Sequence, residues 1–472
     1  MIARMVRSLV PSFLLLATIG LRAFAAEHRV ASAADLAALA DALKPGDVVV
    51  MAEGTWQDEK LVFQARGTAA QPITLRAATP GKTVLIGASS LAIDGEDLVI
   101  SGLHFKDNAA SKDTIEIKGR NCRLTDCAID GGTSKFFVHV FGAANRVDHC
   151  YIAGKTSDSP TMQIEAEGQP NGHRIDHNHF GPRPPLGRNG GETIRVGYSG
   201  QSMSASGTVV ECNLFEKCDG ELEIISNKSC ENIYRGNTFL ECAGTLTLRH
   251  GNRCLVDGNF FLGHHKRGAG GIRVIGEDHT IINNYMEGLA TGGFWITSGI
   301  PDSPLVGYFQ ARNCTIAFNT IVDSAGACLD LSAGIGTSKR TLLPENITIA
   351  NNLFAVAENG TLCKGQESES YRWLGNLVTA GSEMAKRDGV HALDLKLVRA
   401  PDGVWRPAAD SPARGAGEGK FSAVTADIDG QPRSGRFDVG CDQASDAPVT
   451  SRPLTAADVG PAWMNRGEST GS

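Results

Sequence analysis

The chain has 472 residues, 42% of them apolar and 6% aromatic, and 45 basic against 52 acidic residues give it a formal charge of −7. That apolar content excludes a disordered chain. The lack of a basic excess excludes a protein built to neutralise nucleic-acid phosphates, and 55 glycines with few aromatics point to many short strands and turns.

Residues 1–25 read as a cleaved secretory leader. Arg4 and Arg7 precede an apolar run from Leu9 to Leu21, and Ala23-Phe24-Ala25 supplies the small-x-small pattern of a cleavage site. The run is too short to span a bilayer comfortably, so the expected destination is the periplasm or the exterior. Ser32 is a candidate N-cap for a short helix running to Leu43, with Leu36, Leu39 and Leu43 on one face. Pro45-Gly46 ends it, and Val48-Val49-Val50 begins the strands.

From about residue 120 short pieces repeat: Asp126-Cys127-Ala128-Ile129, His149-Cys150-Tyr151-Ile152, Cys212-Asn213-Leu214-Phe215, Gly236-Asn237-Thr238-Phe239, Gly258-Asn259-Phe260-Phe261 and so on. Their second residues are Cys127, Cys150, Asn178, Asn213, Asn237, Asn259, Asn284, Asn319, Asn352 and Asn376. The shorter steps between them cluster near one coil length, and the longer ones mark insertions; this is the signature of a solenoid. The apolar runs are too short for helices and rich in Val, Ile, Leu and Phe, which predicts three short strands per coil in a right-handed parallel β-helix. The asparagine column is expected to form a hydrogen-bonded ladder inside it. The helix would close the N-terminal end, and the stretch after residue 390, with Trp405, Pro407, Pro412 and residues 427–440, would cover the other. Residues 26–445 form one domain on this reading, and 446–472 a loose polar tail. Seven of the 12 cysteines (Cys122, Cys127, Cys150, Cys218, Cys242, Cys254 and Cys314) fall at fixed offsets in the coils and read as buried free thiols, with a Cys218–Cys242 bridge as the geometric alternative.

A packed β-helix has no interior pocket, so chemistry must lie in an outer groove. In Asp219-Gly220-Glu221-Leu222-Glu223, strand alternation would put Glu221 and Glu223 on one face, where two carboxylates repel unless a cation joins them. Ca²⁺ suits oxygen ligands in irregular geometry. One coil earlier come Asn189, with an amide oxygen to offer, and Glu192, whose part in a metal site is left open. Lys228 follows at the turn; Arg195, Arg249 and Arg273 come on other coils, the last two 24 residues apart. Arg195, His250 and Arg273 are candidates to grip carboxylates of an anionic polymer. His250 does so only if the strand bends, since regular alternation turns it away from Arg249. His264-His265-Lys266-Arg267 is a basic turn nearby.

The runs Asn189 to Gly197, Cys218 to Ser229 and Arg249-His250-Gly251 resemble polysaccharide lyase family 6, which contains alginate lyases and the dermatan-sulfate-cleaving chondroitinase B. The likeness extends over roughly residues 30–440. It implies Asn189, Glu221 and Glu223 as calcium ligands, Lys228 as general base and Arg249 as general acid. The substrate it implies is a uronate polymer, cut by β-elimination. Many family members carry a second β-helix domain, for which this chain is too short. With no excess of basic residues for sulfate, alginate containing mannuronate is favoured over dermatan sulfate. The other readings are a glycoside hydrolase, which leaves Lys228 and Arg249 without a role, and a non-catalytic uronate-binding β-helix. A monomer is expected, with no nucleic-acid or membrane partner.

Overall fold

The computed structural model describes residues 25–166, 168–358, 360–382 and 387–464. All but residue 25 of the proposed leader lies outside them, as does the end of the tail. Alternation drives the architecture: Lys60–Arg66 buries Leu61, Phe63 and Ala65 and exposes the residues between. Stacking such strands coil on coil gives three long parallel sheets, two of fourteen strands and one of twelve, with successive coils as neighbours throughout. The fold is a parallel β-helix, and its core is a column of Val, Ile, Leu, Phe and Cys running the length of the rod.

The asparagine ladder forms as the repeat predicts. The Nδ2 group of Asn178 donates to Oδ1 of Asn213 at 3.0 Å, and the same bond passes through Asn237, Asn259, Asn284, Asn319 and Asn352 to Asn376 at 2.9–3.0 Å. All eight side chains are buried. Each Oδ1 also caps the backbone N–H of the preceding ladder residue, as from Asn213 N to Asn237 at 3.1 Å. The residue before each asparagine turns the chain at positive φ, which is why Gly236, Gly258 and Gly375 stand there in three coils. Alongside, Phe180, Phe215, Phe239 and Phe261 stack at 4.6–4.9 Å. All 12 cysteines are free thiols, so the Cys218–Cys242 bridge is not made; the Cys218 N–H instead points at the Cys242 sulfur at 3.4 Å.

Both ends differ in detail from expectation. Ser32 does cap a helix, accepting from Asp35 N at 3.1 Å while the Asp35 carboxylate accepts from Ala31 N. The helix covers only Ala33–Ala38, however, because Leu39 and Ala40 already bond three residues back and tighten the chain into turns. Leu36, Leu39 and Leu43 still pack on the core. The C-terminal segment is more than an end cover. It runs back along one flank, bonding Asn351 O through Gly440, Thr320 through Cys441, Thr238 through Leu454 and His177 O through Gly460. The expected loose tail is therefore tied down as far as Trp463, whose indole donates to Asp126 O at 2.9 Å.

Candidate active site

The site lies on the outer face of the twelve-stranded sheet, where Ile194–Val196, Glu223–Lys228, Thr245–His250 and Gly270–Val274 are neighbours. Two irregularities make it. Glu223 pairs with Thr245 but Ile225 pairs with Leu246, so Ile224 is an extra residue, and Ile224 and Ile225 are both in the core. Glu223 and Lys228 are an odd number of residues apart and would face opposite ways in a regular strand. The bulge changes the parity and sends both outward. On the next coil Asn227 pairs with Leu248 and Lys228 with His250, which makes Arg249 the extra residue and brings it and His250 to the outer face together.

The acids meet through a close backbone contact. A Cβ on Gly191 would sit 2.3 Å from the Gly220 carbonyl oxygen, and one on Gly220 would sit 2.1 Å from that of Gly191. Only glycine at both positions lets adjacent coils approach this way. The carboxylates of Glu192, Glu221 and Glu223 then gather, with one oxygen of each within 4.8 Å of the others. Glu221 is not in the strand, as alternation supposed, but in the bend before it, fixed by Gly190 N donating at 3.0 Å. Buried Arg183 braces the base of the group through Glu192 O at 2.5 Å and Thr161 Oγ1 at 3.2 Å.

Charges surround this trio. Glu192 lies 3.9 Å from Lys228 Nζ and 3.8 Å from Arg195 Nη1; Glu223 lies 4.0 Å from Arg249 Nε and 3.6 Å from Arg273 Nη1. Burial, then repulsion from Glu192 and Glu223, pushes the Glu221 carboxyl up to about 7. Burial lowers the Lys228 ammonium; Glu223 and Glu192 oppose this, and Arg195 and Arg249 add to it. Three carboxylates so placed fit a hard divalent cation. Glu192 supplies a further sign: it is 1% exposed, and its Oε2 has no hydrogen-bond partner among the described residues. Asn189 sits in the exposed bend one residue before Gly190, whose N–H holds Glu221.

The expected residues thus converge, with differences. Arg273 is in register with Thr247, Ser226 and Arg195, not with Arg249; the 24-residue spacing of Arg249 and Arg273 is not the structural register. His250 does reach the outer side through the bend, but its ring is fully buried, so it does not line the open surface. Burial and the charges of Arg249 and Lys228 hold it down to about 3. In the basic turn, Lys266 bonds Asp219 at 2.6 Å, His264 lies 3.2 Å from Glu241 and His265 3.0 Å from Asp323. Each of these three is paired with an acid. Two neighbours went unnoticed in the sequence: Gln163, which accepts from Arg195 Nε at 2.6 Å, and Tyr308, which carries Arg249 on its ring face at 4.1 Å. A second group, Asp113, Glu116 and His139, resembles a metal set, but Asp113 and Glu165 each bond one ring nitrogen of His139 at 2.7 Å and leave it no free ligand atom.

The family model described as chondroitinase B matches residues 30–415. The chain belongs to this family, polysaccharide lyase family 6. Among curated protein sequences nothing matches. Among solved structures of the family, the alginate lyase AlyGC is 37% identical over 82% of this chain, with a TM-score of 0.78. A variant of the same enzyme aligns over 93% of the chain at 34% identity and a TM-score of 0.81. The chain spans 56–59% of the length of these two. A family 6 lyase specific for mannuronic acid, from human gut microbiota, is 33% identical over 78% of this chain and 91% of its own, with a TM-score of 0.70.

Proposed function

We propose that the protein is a polysaccharide lyase that cleaves a uronate polymer, alginate containing mannuronate, by β-elimination, and that it is exported through its leader. The observation that carries this is the convergence of three carboxylates, a half-buried amine and two guanidinium groups on adjacent coils. Membership of a family with alginate lyases at 33–37% identity supports the reaction class, and the mannuronate-specific relative supports the substrate.

In this reading Arg195 and Arg273 hold uronate carboxylates in flanking subsites. Lys228, as the neutral amine, takes the C5 proton. Its burial favours that form. The C5 electron pair forms the C4–C5 double bond as the C4–O bond breaks. Arg249 faces the departing oxygen as a hydrogen-bond donor, and the oxygen leaves as the alcohol by taking a proton from water relayed along Arg249. Arg249 is itself depressed by burial, against the pull of Glu223 and Tyr308. Glu192, Glu221 and Glu223, with Asn189, would hold Ca²⁺, whose charge there would offset the substrate carboxylate and acidify its C5 proton. Lys228 and Arg249 have no role in a hydrolase, whereas elimination uses both.

The test is a panel of poly-mannuronate, poly-guluronate, mixed alginate and dermatan sulfate, read by the ultraviolet absorbance of the unsaturated product, with and without chelator. Absorbance rising on mannuronate-containing substrates and lost in chelator is expected. Product without absorbance would mean hydrolysis, and binding without product a carbohydrate-binding protein. Activity on dermatan sulfate alone would move the substrate to the chondroitinase B side of the family.

A further inference from the structure

The loop over residues 298–312 crosses from the Gly292–Thr297 strand to the Arg249 side of the site. Its root is bonded, Gly299 N to Leu342 O at 2.8 Å and Ile300 N to Tyr308 O at 2.9 Å, and its tip turns through Gly307 N to Pro304 O at 2.7 Å. Ser202 Oγ, from a loop 103 residues earlier, donates to Leu305 O at 3.2 Å. The loop is thus tied to the rod by Leu342 and Ser202 and closed on itself by the other two bonds. It presents two groups to Arg249: the Gly307 carbonyl, which accepts from Nη1 at 2.8 Å, and the Tyr308 ring, 4.1 Å from the guanidinium carbon. Arg340 at 4.5 Å and Arg273 at 5.7 Å also lie over that ring.

These contacts use the Arg249 donors selectively. Nε faces Glu223, and Nη1 is taken by Gly307 O and lies 3.4 Å from His250 Nδ1. Nη2 has no hydrogen-bond partner among the described residues. The bulge at Arg249 gives the side chain its direction but not its rotation, and three cations gathered with one carboxylate, Glu223, would otherwise repel. An aromatic face attracts all three without removing a donor from any.

We infer that Tyr308 is a positioning residue: its ring, delivered by the braced loop, holds the Arg249 guanidinium so that Nη2 points into the groove. The inference deepens the elimination reading and rests on it for its kinetic consequence, but the clamp itself is a property of the folded chain. Tyr308→Phe keeps the ring, and Tyr308→Leu keeps bulk without a π face.

The experiment pairs two readouts on full-length protein. In steady-state lyase assays on poly-mannuronate, Tyr308→Leu lowers kcat by about tenfold to thirtyfold with KM little changed, and Tyr308→Phe keeps most of the turnover. In phenylglyoxal labelling mapped by peptide mass spectrometry, Arg249 is labelled faster in Tyr308→Leu than in wild type or Tyr308→Phe. Equal kcat and equal labelling in the Leu and Phe variants would overturn the inference, as would a loss in Phe as deep as in Leu. Circular dichroism and melting identify a variant that fails to fold; Tyr308→Met, which also keeps bulk without a π face, then supplies the second perturbation, and Arg249 labelling there equal to that of wild type overturns the clamp. Should the wild type prove inactive on every uronate, the elimination reading falls while the labelling still decides whether the clamp exists.

Discussion

The asparagine ladder and the acid-lined groove are built on the same coils and solve opposite problems. In the ladder every coil contributes the same neutral side chain at the same register, and each amide satisfies the next. In the groove each coil contributes a different side chain, the register slips twice, and like charges are left together with a buried carboxylate oxygen unsatisfied. Regularity stabilises the rod, and the departures from it concentrate charge where a substrate can use it.

That contrast is sharpest where a change should remove chemistry and spare the fold. Lys228→Ala is expected to lower lyase turnover by about 10²- to 10⁴-fold, measured by product absorbance, with an unchanged melting curve. An active variant would remove Lys228 from the role of base. The opposite pattern is expected inside. Asn259→Leu strands the Asn237 amide and the Tyr234 carbonyl that Asn259 now satisfies. It should cost about 3 kcal/mol, seen as a lower denaturation midpoint, while activity per folded molecule holds.

A third site tests charge that is paired. Asp148, buried on the flank, accepts from Arg123 at 2.6–2.7 Å. Burial would raise its carboxyl, but hydrogen bonds from Arg123 and His149 and the charges of Arg123 and Arg146 hold it well below the usual range. A depressed carboxyl stabilises the fold above its unfolded pKa and loses that contribution as pH falls through the folded value. Asp148→Asn should therefore cost about 2 kcal/mol at neutral pH, with the gap to wild type closing on acidification in melts across pH. A gap that widens in acid would contradict the pairing argument.

The smallest effect should carry the opposite sign. Glu221→Gln removes one of three crowded charges, so in chelator it should raise stability by about 1 kcal/mol after solvent screening, while lyase turnover falls. Destabilisation in chelator would mean that the trio is held together by something other than a cation.

Much of the site was legible in the residues. Glu221, Glu223, Lys228, Arg249 and Arg273 do converge, because in a solenoid residues one coil apart are neighbours and sequence spacing reports position around the rod. Where spacing failed, it failed at the bulges. An extra residue at Ile224 or Arg249 is invisible in a pattern of short strands with tolerant ends, and it decides which of Glu223, Lys228 and His250 face outward. Glu192 was visible but could not be placed, since its approach depends on two glycine backbones touching across coils.

The sequence by itself determined the coil period, the ladder, the burial of ten of the 12 thiols and the charged composition of one strip, because each is a local pattern repeated at fixed intervals. Only the tertiary structure decided the parity of the strip, the loop that brings Tyr308 to Arg249, and the return of the tail along the flank to Asp126. Those depend on contacts between segments far apart in the chain, and no periodicity in the residues encodes them.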